Sequence, residues 1–278
     1  MIERAGTADL HIHSLASDGL SGVGEILDHV QERTDLDVIA ITDHERIDAA
    51  LAARSMAEAR GLRVQVVIGE EVTTRGGHLL ALFVEAPVRP LRSLRDTIAA
   101  VHDQGGLAIP AHPLVPFPLC AQGRALRRLL ADDDPRYHFD AVEVFNPTTI
   151  GRPGHPRALA FAAEYGLPVI GNSDAHVAEQ IGVGWTSFPG RDPEDLRAAI
   201  LAGRTAWHGS FHGHASMVAT FGRQLRKYGR DARDEVRGRV RRDGTGRHLG
   251  YPGGDRRPAR YDAGQDPRHG GDPDVERR

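Results

Sequence analysis

Seven short apolar runs punctuate the first 171 residues: Ala8–His13, Val38–Thr42, Val64–Gly69, Leu79–Val84, Leu107–Ala111, Ala141–Phe145 and Pro168–Gly171. Val, Ile and Leu dominate them, as in strands covered on both faces. Between the runs the apolar spacing changes to the helical period. Gly24–Glu32 sets Ile26, Leu27 and Val30 on one face, and Ala49–Arg60 is alanine-rich. Leu91–Gln104 stops at Gly105-Gly106, and Arg157–Tyr165 stops at Gly166. Pro193–Ala202 opens on a proline suited to a first helical turn and ends before Gly203. This alternation predicts parallel strands joined by crossover helices. Six or seven such units over about 210 residues favour a closed or nearly closed barrel. An open doubly wound sheet is the alternative. Its glycine-rich phosphate fingerprint is missing after the first run, where Asp9-Leu10-His11-Ile12-His13 stands instead.

The pattern fades near Gly222. From there to Arg278 apolar residues thin out, and 16 basic residues stand against 10 acidic ones. The whole chain carries −3, so an acidic domain (1–221) is joined to a basic tail (222–278). The tail is too polar to bury a core and is expected to be disordered, with Arg223–Arg242 as a possible charged helix. Cys120 is the only cysteine, so no intrachain disulfide can form. Met1–Ala8 lacks the apolar centre of a signal peptide, and no run approaches the length of a membrane span. These features lead to the expectation of a soluble, cytoplasmic protein.

The chemistry sits at the ends of the runs. Side chains alternate along a strand, so Asp9, His11 and His13 share a face. Two imidazoles at that spacing can share a divalent ion, but a half-exposed polar strand reads the same way, and a short histidine motif has many accidental matches. The pair is not isolated. Ser17-Asp18-Gly19 follows in the next loop. Val38–Thr42 runs into Asp43-His44, Val64–Gly69 into Glu70-Glu71, Leu107–Ala111 into His112, and Pro168–Gly171 into Asn172-Ser173-Asp174-Ala175-His176. In a parallel barrel the C-terminal strand ends converge on one face, so five such endings make one shared site. Imidazoles with carboxylates suit Mn, Fe or Zn. Eight or nine ligands imply two or three ions with open positions rather than a closed structural zinc site. Cys120 lies in a loop expected to be far from these endings. His29, His102, His138 and His155 are expected to be solvated or packed, and His208, His212 and His214 to be structural or at a substrate rim.

In this order the residues resemble the PHP superfamily, named for polymerase and histidinol phosphatase. The resemblance rests on His11, His13, Asp18, His44, Glu71, His78, His112, Asp174 and His176, spans about residues 8–210, and is nearest the stand-alone phosphoesterase branch. It implies a distorted (β/α)7, TIM-like barrel holding two or three divalent ions. It would place His11, His13, Glu71 and Asp174 around one ion, and Asp18, His44 and His176 around a second. Glu71 would bridge to a third, held by His78 and His112. The Gly-x-Glu spacing selects Glu71 over Glu70, and His78 would reach the site through a hairpin after Thr73. Asp9 and Asp43 would orient imidazoles.

The expected reaction is metal-dependent hydrolysis of a phosphate ester, with in-line attack by a hydroxide bridging two ions. Glu71, Asp174 and His176 are the expected catalytic residues, with Asp174 or His176 managing protons. Asn146 and Arg152 are expected substrate contacts. The expected substrate is a small phosphomonoester, with a nucleotide or an oligonucleotide end as one form. A histidinol-phosphate-type phosphatase is the first alternative, and a metal-binding regulatory module without turnover the second. A carbon–nitrogen hydrolase with a carboxylated lysine is disfavoured because the single lysine is Lys227, in the tail. Basic residues of the tail could touch nucleic acid, but its acids favour a solvated segment.

Overall fold

The computed structural model describes residues 5–148 and 151–211, together with Gly222 and Lys227. Apart from those two residues, the expected helix over 223–242 and the rest of the tail lie outside the described residues, as do His212 and His214. Nine strands are present among the described residues: β1 (Gly6–Ile12), β2 (Val38–Ile41), β3 (Gln65–Thr74), β4 (Gly77–Leu82), β5 (Leu107–Pro110), β6 (Val142–Phe145), β7 (Val169–Gly171), β8 (Gly184–Phe188) and β9 (Ala206–Gly209). Six α-helices accompany them: α1 (Val23–Arg33), α2 (Asp48–Ala59), α3 (Leu94–His102), α4 (Gly123–Leu130), α5 (His155–Tyr165) and α6 (Pro193–Leu201). All seven expected strands and five expected helices are recovered within a few residues. Strands β8 and β9 and helix α4 were not expected.

The strands form a curled, mixed sheet in the order β5-β4-β3-β2-β1-β8-β9, with β6-β7 as a separate pair. Only β1-β2, β2-β3 and β6-β7 are parallel. The all-parallel expectation fails at two places. Arg75-Gly76 turns β3 directly back into β4 as a hairpin, with Thr74 paired to Gly77, so no crossover helix intervenes. At the other end β8 runs antiparallel to β1 and β9 antiparallel to β8. The β6-β7 pair bridges the two ends of the sheet. Asp140 N donates to Ala108 O at 2.9 Å on one side, and Gly171 N to Thr186 Oγ1 at 3.0 Å on the other.

Alternate strand residues separate into two buried layers. Ile39 and Ile41 of β2 pack with Ile26, Leu27 and Val30 of α1 and Ala50 and Ala53 of α2. Val38 and Ala40 join Leu10, Leu80, Ile109 and the α6 residues Leu196, Ala199 and Ile200. Covering both faces explains the continuous apolar runs. Each Val, Leu or Ile side chain so buried contributes about 1.5–3 kcal/mol. Helix α5 ends as its sequence requires, with Gly166 at φ 63°, a left-handed C-terminal stop. No helix among the described residues is long and apolar enough to cross a membrane.

Candidate metal centre

Backbone pairing brings the distant strand endings together. The register of β1 against β2 shifts between Asp9 and Ile12, a bulge that re-aims the side chains beyond it. His13 N then donates to Ala175 O at 2.8 Å, and Ala175 N to His11 O at 3.2 Å, which sets Asp174 and His176 beside His11 and His13. Glu71 N donates to Thr42 O at 3.2 Å, and His44 bridges to Glu71. His78 lies on β4 opposite Thr73, so the hairpin delivers it as expected. His112 and Asp174 have positive φ, 30° and 50°. Left-handed backbone at a non-glycine residue costs roughly 1–2 kcal/mol, and here it turns each side chain off its strand axis into the site.

Glu71 is the hub. Its Oε1 lies 2.8 Å from His78 Nδ1 and 3.1 Å from His112 Nε2. Its Oε2 lies 3.3 Å from the Nε2 atoms of both His11 and His13, and 3.5 Å from His44 Nδ1. These five imidazoles form a closed ring, successive ring centroids lying 4.9–5.8 Å apart. His176 stacks on His13 at 4.4 Å. Asp174 Oδ1 lies 3.4 Å from His11 Nε2 and 3.3 Å from His13 Nε2. Asp18 approaches His13 Nδ1 at 3.3 Å and His176 Nε2 at 3.0 Å. All nine ligand candidates thus meet in one place. Ligand atoms within 4.8 Å of one another fall into groups including His11-His13-Glu71, His11-His112-Asp174, His13-Asp18-His44 and His44-Glu71-His78. His44, His176 and Asp18 are the side chains with appreciable exposure (27%, 17% and 14%), so they form the mouth.

The donor set fits divalent cations. His11 Nε2, both ring nitrogens of His13, His44 Nδ1 and His78 Nδ1 are buried with no well-aligned hydrogen bond, although each lies 2.8–3.5 Å from a carboxylate oxygen. Each such atom costs about 1–3 kcal/mol unless something satisfies it. The electrostatics agree. Burial disfavours ionised Glu71, but His11, His44 and His78 outweigh it and hold the carboxyl well below its usual range. Burial likewise opposes Asp174, and His11, His13 and His176 overcome it. Burial would push His13 down, but Asp18, Asp174 and Glu71 lift it to about 10. His11 and His112 are also raised well above the usual imidazole value against burial. Burial holds His44 down. A buried cluster that draws protons this strongly is one that divalent ions can occupy in their place.

Several supporting residues differ from expectation. Asp9 accepts from Ser173 N at 3.0 Å and Gly182 N at 2.9 Å, and burial lifts it to about 6 despite those bonds. Asp43 accepts from Ser14 N at 2.8 Å, Ser14 Oγ at 2.6 Å and Ser17 Oγ. Both therefore brace loops instead of orienting imidazoles. That task falls to Glu143, a residue not foreseen. Its Oε1 accepts from His11 Nδ1 at 3.0 Å and from Asn172 Nδ2 at 2.8 Å. Its Oε2 accepts from His112 N at 2.6 Å. Donation from Nδ1 leaves the His11 Nε2 lone pair facing Glu71 and Asp174. The signal was there: one carboxylate inside the apolar run Ala141–Phe145 needs a buried partner.

Asn146 is 2% exposed and donates to Asp174 Oδ2 at 3.1 Å and Glu143 Oε2 at 3.3 Å. It is used up inside the site and positions Asp174. Arg152 is exposed, with its guanidinium 5.0 Å from the Phe211 ring. Cys120 is not remote. The chain folds back so that Sγ lies 3.4 Å from His112 Nδ1. His102 bonds Asp140 and Arg136, His138 bonds Asp132, and His155 bonds Val144, all as packing groups. His29 lies on α1, where burial lowers its pKa. His208 stacks on Trp185.

Glu70 points away from Glu71 and accepts from Val88 N. Burial pushes its carboxyl up to about 8 from an ordinary value of 4.5. A raised carboxyl stabilises the fold fully below its unfolded value and loses that contribution as pH rises through the folded one. Glu70→Gln removes the loss and keeps an acceptor for Val88. Its stability gain over the native chain should grow from near zero at pH 4.5 to about 5 kcal/mol at pH 8.5, at 1.36 kcal/mol per pH unit. Urea unfolding of both chains across that range checks this, and a pH-independent difference would refute it.

Comparison with known proteins agrees with this geometry. Residues 153–205 match the PHP-associated family. A Methanocaldococcus jannaschii protein is 35% identical over 153 residues, which cover 50% of this chain and 81% of that protein. The chain belongs to the PHP superfamily. PHP-type architecture also appears in a two-domain Bacteroides vulgatus protein containing a predicted PHP-like metal-dependent phosphoesterase. It superposes with a TM-score of 0.61 at 22% identity, covering 80% of this chain and 70% of that one. The phosphoribosyl 1,2-cyclic phosphate 1,2-diphosphodiesterase of Eggerthella lenta is 36% identical over 92 residues, 31% of this chain and 34% of that enzyme.

Proposed function

We propose that this PHP protein hydrolyses phosphate esters with the help of two or three divalent ions, Mn, Fe or Zn. The observation that carries the reading is the ring of five imidazoles around Glu71, with His176, Asp18 and Asp174 beside it. The reading includes a distorted (β/α)7 barrel, supported by the parallel β1-β2-β3 and β6-β7 pairings, with the β3–β4 hairpin in place of one crossover and β8 and β9 as antiparallel additions. His11, His13, Glu71 and Asp174 would hold one ion, and Asp18, His44 and His176 a second at the mouth. His78 and His112 would share Glu71 with a third. When bound, such ions lower the pKa of water and offset charge on phosphoryl oxygens.

The protein's own part is positioning and proton handling. Glu143 and Asn146 hold His11 and Asp174 so that their free atoms face inward. His176 Nδ1 donates to Asp174 O at 2.9 Å, which fixes the ring with Nε2 toward Asp18 and the mouth. Asp174 is 7% exposed and tied to Asn146. Of the two residues expected to manage protons, His176 is therefore the one that can meet a substrate. A small phosphomonoester is the first substrate class. The name of the Eggerthella relative favours a second, a cyclic phosphodiester of a sugar.

The test is turnover of a panel by the Mn-, Fe- and Zn-loaded protein. The panel comprises nucleoside and sugar monophosphates, histidinol phosphate, sugar cyclic phosphates and short oligonucleotides. Turnover should vanish with a chelator and return with metal. No metal-dependent turnover of any member would leave the regulatory alternative standing. Metal affinity should rise with pH, because protons on His11, His13 and His112 compete with ions, and His13 retains its proton toward pH 10. Raised imidazoles stabilise the metal-free fold fully below their ordinary value, and that contribution fades as pH rises through the raised one. The metal-free chain should thus weaken between pH 7 and 10 while the loaded chain does not. Calorimetry in buffers of different ionisation enthalpy should show net proton release on Mn binding; none would contradict this electrostatic reading.

A further inference from the structure

The loop that carries Asp18 is held by a side chain from far along the chain. Lys227 is the only lysine in 278 residues, and it is 8% exposed. Its ammonium donates to Leu15 O at 3.1 Å, to Gly19 O at 3.0 Å and to Ser17 O. Three alternate carbonyls of one loop therefore converge on one cation with three donors. Two of them, Ser17 and Gly19, flank Asp18. The carbonyl between the first two, Ala16 O, accepts from Arg46 Nη1 at 2.8 Å.

Converging carbonyl dipoles repel one another, and the Lys227 ammonium at their focus offsets that repulsion. The loop has little freedom elsewhere. Its Gly19 packs against His13 so closely that a Cβ there would stand 2.3 Å from His13 O. Leu20 N donates to His176 O at 2.7 Å. The carboxylate of Asp18 is thereby placed 3.3 Å from His13 Nδ1 and 3.0 Å from His176 Nε2.

We infer that Lys227 is a positioning residue of the metal centre: it locks the Asp18 loop, and through it sets the affinity of the mouth group Asp18, His44 and His176. This rests on the metal-centre reading above. It also brings residue 227, beyond the boundary drawn at 221, into the working part of the molecule. A chain ending at 221 would lack the lock.

The experiment uses the full chain with Mn as the probe. Stepwise Mn affinities are measured by equilibrium dialysis and electron paramagnetic resonance for the native protein, Asp18→Asn, Lys227→Met, Lys227→Arg and Lys227→Ala. Lys227→Met should weaken one step by about 10–100-fold, the range for residues that orient ligands. It should be the same step that Asp18→Asn weakens, with the other steps unchanged. Propylammonium added to Lys227→Ala should restore that step in part, which a merely structural role would not do. Lys227→Arg keeps the charge but cannot aim three donors from one atom, so it should lose affinity at the same step. That variant decides if Lys227→Met fails to fold. Native affinities at every step in Lys227→Met or Lys227→Arg would overturn the inference and leave the metal reading intact. Absence of Mn binding by the native chain would overturn the metal reading itself.

Discussion

Glu71→Gln is expected to lower phosphate-ester turnover by about a thousandfold or more, roughly 4 kcal/mol of lost transition-state stabilisation. The reason lies in acceptor count. Both Glu71 oxygens face imidazole nitrogens, Oε1 toward His78 and His112, Oε2 toward His11, His13 and His44. A glutamine can offer an oxygen to one side only. Its amide nitrogen would then face ring nitrogens that need free lone pairs to hold an ion. The loss of one negative charge also weakens every neighbouring cation site in a buried, poorly screened environment. Metal content and kcat should therefore fall together, with at least one ion lost per chain. Mass spectrometry of metal content beside single-turnover kinetics separates the outcomes. Turnover within tenfold of native would mean that Glu71 is not the shared ligand. Lost metal with intact turnover would mean that the chemistry lies elsewhere.

The separation of Glu71 from Glu70 shows what the sequence makes legible. Strand alternation put the two on opposite faces, and the structure places one among five imidazoles and the other under Val88. The same alternation, with apolar runs that stop at polar residues, gathered His11, His13, Asp18, His44, Glu71, His112, Asp174 and His176, whereas His78, which precedes its run, came only through the family resemblance. Strand polarity was not legible in the same way. An apolar run has no direction, and the reversal of β4 at Arg75-Gly76 was anticipated only through the resemblance, which needed a hairpin after Thr73 to bring in His78. Strand β9 is half exposed and β8 alternates buried with partly buried residues, so neither has the apolar density of a covered strand. Cys120 and Lys227 were misplaced for a related reason. Each reaches the site through tertiary contact with no local pattern to mark it.

Glu143 is the supporting residue with the largest expected effect, and the conservative substitution is the informative one. Its partners all donate to it: His11 Nδ1–H, the His112 amide, Asn172 Nδ2 and Asn146 Nδ2. Burial opposes ionised Glu143, yet His11 and His112 hold its carboxyl below the usual range. The position thus requires acceptors only. Glu143→Gln keeps the volume but turns an amide nitrogen toward at least one of those donors. The donor that loses its acceptor is buried, at a cost of about 1–3 kcal/mol. If the amide meets His11 Nδ1, that ring also loses the bond that keeps Nε2 free for a ligand. Metal affinity should fall about 10–100-fold, and the metal-free chain should unfold at lower urea. The pH at which half the metal binds should shift at the same time, because His11 loses a carboxylate that favours its proton. Weaker proton competition moves that midpoint to lower pH even as the affinity at high pH declines. A purely structural role predicts lower stability with an unmoved midpoint, so Mn titrations between pH 6 and 9 on both chains distinguish the two.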